Sequence, residues 1–84
     1  MNIYVANLDY DLNEAELEGY FSQYGDVSSV KIIYDRVTRR SRGFGFVEMA
    51  TEEAGLNAIE GLNGTEVRGR EISVSKAKPP KPRF

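Results

Sequence analysis

The chain has 84 residues and a net charge of −2, with no cysteine and no histidine. That length suits one domain with a small core. The two missing residue types exclude a disulfide framework, thiolate or imidazole metal ligands, and every Ser-His or Cys-His nucleophile pair.

Residues 3–8 are a short, mostly apolar run followed by Asp9, which reads as a buried strand. Asn13 has the chemistry of a helix N-cap, and Glu16 stands in the capping-box position three residues on. Leu17, Phe21 and Tyr24 then share one helical face before Gly25 stops the helix. Glu14, Glu16 and Glu18 suit its amino-terminal half, and otherwise read as a solvated face. Residues 27–34 alternate, with Val30, Ile32 and Tyr34 on one side and Ser29, Lys31 and Ile33 on the other, as in a strand. A polar, basic connection over 35–41 leads to a hairpin-like partner strand over 44–49. Thr51 caps a second helix with Glu52 and Glu53 in its first turn, and Asn63-Gly64 ends it after Leu62. Gly55 and Gly61 should weaken this helix by about 1 kcal/mol each relative to alanine. Arg68-Gly69-Arg70 is a turn, and Ile72 and Val74 mark a last strand. Residues 78–84 are rich in proline and lysine and read as an unfolded tail on a domain spanning 1–77.

The resulting order is β-α-β-β-α-β, the α+β pattern of a ferredoxin-like sandwich. Its four-stranded antiparallel sheet carries two helices on one face, and the other face must meet water or a ligand. Alternation along the third strand puts Phe44, Phe46 and Glu48 on one side and Gly45, Val47 and Met49 on the other. Glu48 does not belong in a core, so Val47 and Met49 should face the helices and the two phenylalanines should face out. In the first strand Ile3 and Val5 pack inward on the same test, which exposes Tyr4. Strand aromatics are usually core, but here the opposite face already supplies the core set. Bare aromatics on an open sheet are costly, and a nucleobase stacked on each is worth about 1–3 kcal/mol.

Charge is blocked along the chain. Residues 1–30 hold six acids and no base, 31–42 five bases and one acid, 43–67 five acids and no base, and 68–84 six bases and one acid. A mildly acidic total can therefore conceal a basic surface if the two basic blocks meet. Lys31, Arg42 and Lys76 are placed to flank the aromatics, and Arg36, Arg39, Arg40 and Arg42 form a basic loop suited to phosphates.

Arg42-Gly43-Phe44-Gly45-Phe46-Val47-Glu48-Met49 resembles the octamer of the RNA-recognition-motif family, matching six of its seven specified positions. Met49 departs, where the family prefers Phe or Tyr. Ile3-Tyr4-Val5-Ala6-Asn7-Leu8 resembles the family's hexamer, and the likeness runs from Ile3 to about Ala77. It implies that Tyr4, Phe44 and Phe46 stack bases and that Arg42 contacts a phosphate. It also implies a sheet with the first and third strands side by side at its centre. Met49 would face the core at little cost to binding. Arg39 stands where many relatives have a turn glycine, which adds charge to a loop that often closes over RNA. The candidate set is thus Tyr4, Phe44, Phe46, Arg42, Lys31, Ile33, Arg39, Arg40, Glu48, Lys76 and Lys78. Within the family the chain is most similar to compact bacterial single-domain proteins, including cold-inducible cyanobacterial ones.

The resemblance implies a non-catalytic monomer that binds single-stranded RNA, with single-stranded DNA as the alternative ligand and no cofactor. A protein-binding relative would tend to lose the octamer aromatics and carry Arg-x-Phe before the last strand, where this chain has Arg68-Gly69-Arg70. A small hydrolase on the same fold lacks a visible phosphate cradle here. Gly61-Leu62-Asn63-Gly64 has the spacing of a KH clamp but no basic residue inside, so it reads as a helix stop and turn. Pro79 and Pro82 have the spacing of an SH3 ligand, but so short a match reads as tail. No apolar stretch is long enough to span a membrane and the amino end lacks signal-peptide regions, so a cytoplasmic protein is expected.

Overall fold

The computed structural model describes residues 1–38 and 41–77, with Ser41 and Arg42 described by backbone alone. In chain order the elements are β1 (Asn2–Ala6), α1 (Glu14–Ser22), β2 (Val27–Tyr34), β3 (Ser41–Met49) and α2 (Glu52–Leu62). They are followed by β4 (Glu66–Val67), β5 (Arg70–Glu71) and β6 (Ser73–Lys76). The main sheet has the order β2-β3-β1-β6, each strand antiparallel to its neighbours. This is the ferredoxin-like arrangement, with β1 and β3 central.

Both helices start on the residues whose side chains can satisfy a free N–H. Asn13 Oδ1 accepts the Glu16 N–H at 2.8 Å, and Thr51 Oγ1 accepts that of Ala54 at 3.1 Å. The capping box of α1 is only half made, because the Glu16 carboxylate is engaged elsewhere. Arg68 donates to it from Nε at 2.9 Å and Nη2 at 2.7 Å. That bond, then the carboxylate's charge, raises the Arg68 guanidinium above its ordinary pKa, so it stays a cation. Arg68 also has φ 54° and Gly69 φ 83°, the two left-handed residues of a tight hairpin turn between β4 and β5. A turn is legible at this point in the sequence, whereas the two short strands around it are not.

The core lies between the helices and one side of the sheet. Val47 and Met49 are 0% and 1% exposed, and they join Ile3, Val5, Ile32 and Val74 from the other strands. Leu17 and Phe21 of α1 and Ala58 and Leu62 of α2 close over them. Strand alternation therefore gives the inward set correctly in β1 and β3. In β2 Ile32 is buried, while Tyr34, the last residue of the strand, is 43% exposed. Between the pairs Ile32↔Gly45 and Tyr34↔Ser41, three residues of β3 stand against one of β2. This bulge falls around Gly43, whose φ of 83° glycine adopts without strain.

Gly45, Gly55 and Gly61 are crowded where a Cβ would stand, whereas Gly19 is not. A Cβ on Gly45 would strike the Lys31 carbonyl oxygen and lie 3.1 Å from Ile32 Cα. Gly55 and Gly61 cost helix propensity, as the sequence indicates, but each makes room for a distant side chain. A Cβ at Gly55 would collide with Met1 Sδ, and one at Gly61 with the Tyr24 hydroxyl. Gly19 in α1 has open space around the same position. Gly19→Ala is accordingly expected to stabilise the domain by about 0.5–1 kcal/mol, read as a rise in the urea unfolding midpoint at unchanged slope.

Candidate functional site

Covering one side of the sheet with helices leaves the other open, and the register assembles the aromatics there. Tyr4 lies directly across from Phe46, and Phe44 across from Ala6. The Tyr4 ring centroid is 5.6 Å from that of Phe46 and 6.0 Å from that of Phe44. Both pairs are tilted, at 55° and 40°, so the rings edge one another and keep π-faces accessible. Phe46 is 39% exposed, while Tyr4 and Phe44 are half-buried by their neighbours. Three rings from two adjacent strands thus form a continuous aromatic surface, open to water on one side.

The outward row through Phe46 runs Lys31, Phe46, Tyr4, Ser75 across β2, β3, β1 and β6. Lys31 is exposed beside Phe46 and supplies positive charge at that edge. Ile33, half-buried, takes the same side of β2 as Lys31. Glu48 sits between Ser29 and Asn2 in the next row and is exposed, which puts a negative charge at one end of the platform. Gly45 serves this surface indirectly. Its missing Cβ lets the β2 backbone approach at Lys31, holding that lysine beside the ring of Phe46.

Lys76 is placed differently from expectation. It shares the parity of buried Val74 and lies across from buried Ile3, so its side chain belongs to the helix side of β6. Its Nζ is 3.7 Å from Glu52 Oε1, at the start of α2. Lys76 still lines the shallow groove formed with Tyr4, Phe46, Ser75 and Ala77. Arg42 belongs to β3, but its side chain lies outside the described residues, as do Arg39, Arg40 and Lys78.

Ser75 and Ala77 are part of the site's wall and are not suggested by the sequence motifs. The signal for Ser75 is the inward Val74, which by alternation turns Ser73 and Ser75 to the aromatic side. Asn7 has φ 60° at the end of β1, and Arg70 donates from Nη2 to its Oδ1 at 2.9 Å, at the rim beyond Phe44. Among the described residues no cluster of acidic side chains is grouped to hold a metal. The surface is fitted for stacking planar rings with some charge at its edges.

Similarity to known proteins points the same way. The profile of the RNA recognition motif family matches residues 3–73. The chain is 51% identical to RbpA of Synechocystis sp. over 79 residues, which is 94% of this chain and 78% of that protein. Among solved structures it is similar to RNA Binding Protein PG1, at 50% identity and TM-score 0.90, covering 96% of this chain and 99% of the other. It is also similar to the Sex-lethal protein in a protein/RNA complex, at 34% identity and TM-score 0.90, covering 95% of this chain and 48% of that one.

Proposed function

The chain belongs to the RNA recognition motif family, and from that premise we propose that it binds single-stranded RNA, without catalysis, on the open face of its sheet. The observation that carries this reading is the Tyr4, Phe44 and Phe46 surface, with ring centroids 5.6 and 6.0 Å apart on the side free of helices. Successive bases stack on these rings while the backbone runs along Lys31 and the basic 35–42 segment. Ile33 adds apolar contact at the β2 edge, and Ser75 is a hydroxyl partner beside Tyr4. Arg42, Arg39, Arg40 and Lys78 remain in the proposed set as phosphate contacts. Lys76 takes part through the groove beside Tyr4 and Phe46, with its ammonium tethered toward Glu52.

Charge plays the smaller role. The net charge is −2, Glu48 faces the ligand, and Arg68 is already committed to Glu16. If three phosphates are neutralised, log K against log salt concentration has a slope of about −2 for a single strand. Fluorescence anisotropy of a labelled RNA across a salt series measures it. A slope several times steeper would mean that phosphate neutralisation outweighs stacking. The same assay with a DNA strand of matching sequence tests whether the 2′-hydroxyl contributes.

The domain boundary proposed is residues 1–77, with 78–84 as a tail. The likeness to RbpA of Synechocystis supports a bacterial source, and we propose that the protein works as a monomer in the cytoplasm.

A further inference from the structure

At the end of β1 beyond the Phe44 and Ala6 row stands a pair outside the hexamer and the octamer. The loop after β1 carries Tyr10, which is 57% exposed. The Arg70 guanidinium carbon lies 5.4 Å from the centroid of its ring. Arg70 is aimed by Asn7, accepting at 2.9 Å through Oδ1, while Asn7 Nδ2 donates to the Glu71 carbonyl at 2.7 Å. Tyr10 also reaches the residue before Phe44. A Cβ on Gly43 would lie 3.6 Å from Tyr10 Cε1, and the Leu8 N–H donates to the Gly43 carbonyl at 2.8 Å. An exposed aromatic and an oriented guanidinium therefore stand at the end of the sheet where the Phe44 and Ala6 row finishes.

We propose that Tyr10 and Arg70 form a second nucleotide site, which takes the next part of a single-stranded RNA as it leaves the sheet beyond Phe44. A base stacks on Tyr10, and Arg70 holds the adjoining phosphate with guanidinium donors beyond the one given to Asn7. Asp9 and Asp11 make the loop acidic, with the Asp9 carboxylate accepting the Asp11 N–H at 2.7 Å and both acids attracting Arg68, so Arg70 is a second cation there, beside Tyr10. A purely structural role fits less well. The β4–β5 hairpin is already anchored by the two-pronged Arg68–Glu16 pair and by the Asn7 bond to Glu71, and Tyr10 adds little burial.

This inference rests on the RNA-binding reading above, and random-sequence RNA trimers and heptamers separate the two. The trimer fits the sheet platform, whereas the heptamer reaches both sites. Tyr10→Ala is expected to weaken heptamer binding about tenfold and to leave trimer binding unchanged, with Tyr10→Phe behaving as the unaltered protein. Arg70→Lys keeps the charge but loses the planar fork, and is expected to lie between the two. Heptamer binding unchanged in Tyr10→Ala, or reduced equally for trimer and heptamer, would overturn the second site. In either case Phe46→Ala would still weaken both RNAs if the platform reading holds. Failure of the unaltered protein to bind either RNA would remove both.

Discussion

Phe46→Ala is expected to weaken single-stranded RNA binding at least tenfold while the domain stays folded. Phe46 is the most exposed of the three platform rings, so its loss removes little core packing. It is also the ring between Tyr4 and Lys31, so its removal breaks the outward row at its centre. Stacking of a base on an aromatic is worth about 1–3 kcal/mol, which corresponds to roughly five- to 150-fold in affinity. Phe44→Ala should act in the same direction, and the pair together by more than either. Anisotropy titrations beside far-ultraviolet circular dichroism separate binding from folding. Folded variants that bind RNA like the unaltered protein would remove stacking as the basis of affinity.

Gly45→Ala is expected to destabilise the domain by about 2–3 kcal/mol, a large share of the about 5–15 kcal/mol available to small domains. The added Cβ meets the carbonyl oxygen of Lys31 and the Cα of Ile32, which are backbone and cannot rotate away. Either β2 moves off β3 or the pairing opens locally. Both outcomes also separate Lys31 from Phe46, so RNA affinity should fall beyond what partial unfolding explains. Gly19→Ala, the identical change in α1, has the opposite expected sign because nothing lies within 4 Å of its new atom. Denaturant unfolding of the two variants side by side tests the contrast. A Gly45→Ala domain as stable as the original would show that β2 yields at no cost.

The parts of the fold that were legible in the sequence are those set by local periodicity. Alternation in β3 and β1 turned Phe44, Phe46 and Tyr4 outward because Val47, Met49, Ile3 and Val5 claimed the core, and the structure buries all four. Caps at Asn13 and Thr51 were equally local. The bulge around Gly43 was not legible, because a strict period of two in β3 does not anticipate the extra residues it inserts. Gly55 and Gly61 looked like plain helix weaknesses because the side chains they accommodate, Met1 and Tyr24, come from elsewhere in the chain. The turn at Arg68-Gly69 was local, but the pairing of Arg68 with a glutamate 52 residues away carried no local signal. Lys76 differs from these. The inward Val74 two positions earlier already put it on the helix side, and its grouping with the platform followed its charge instead of its parity.

The most direct test is an NMR titration of the domain with short random-sequence RNA, following backbone amides and aromatic side chains. Binding on the open face predicts the largest shift changes at Tyr4, Phe44, Phe46, Lys31 and Ser75, with the solvent side of α1 and α2 unmoved. Shift changes concentrated on α1 and α2, with the aromatic rings of the sheet unaffected, would contradict it.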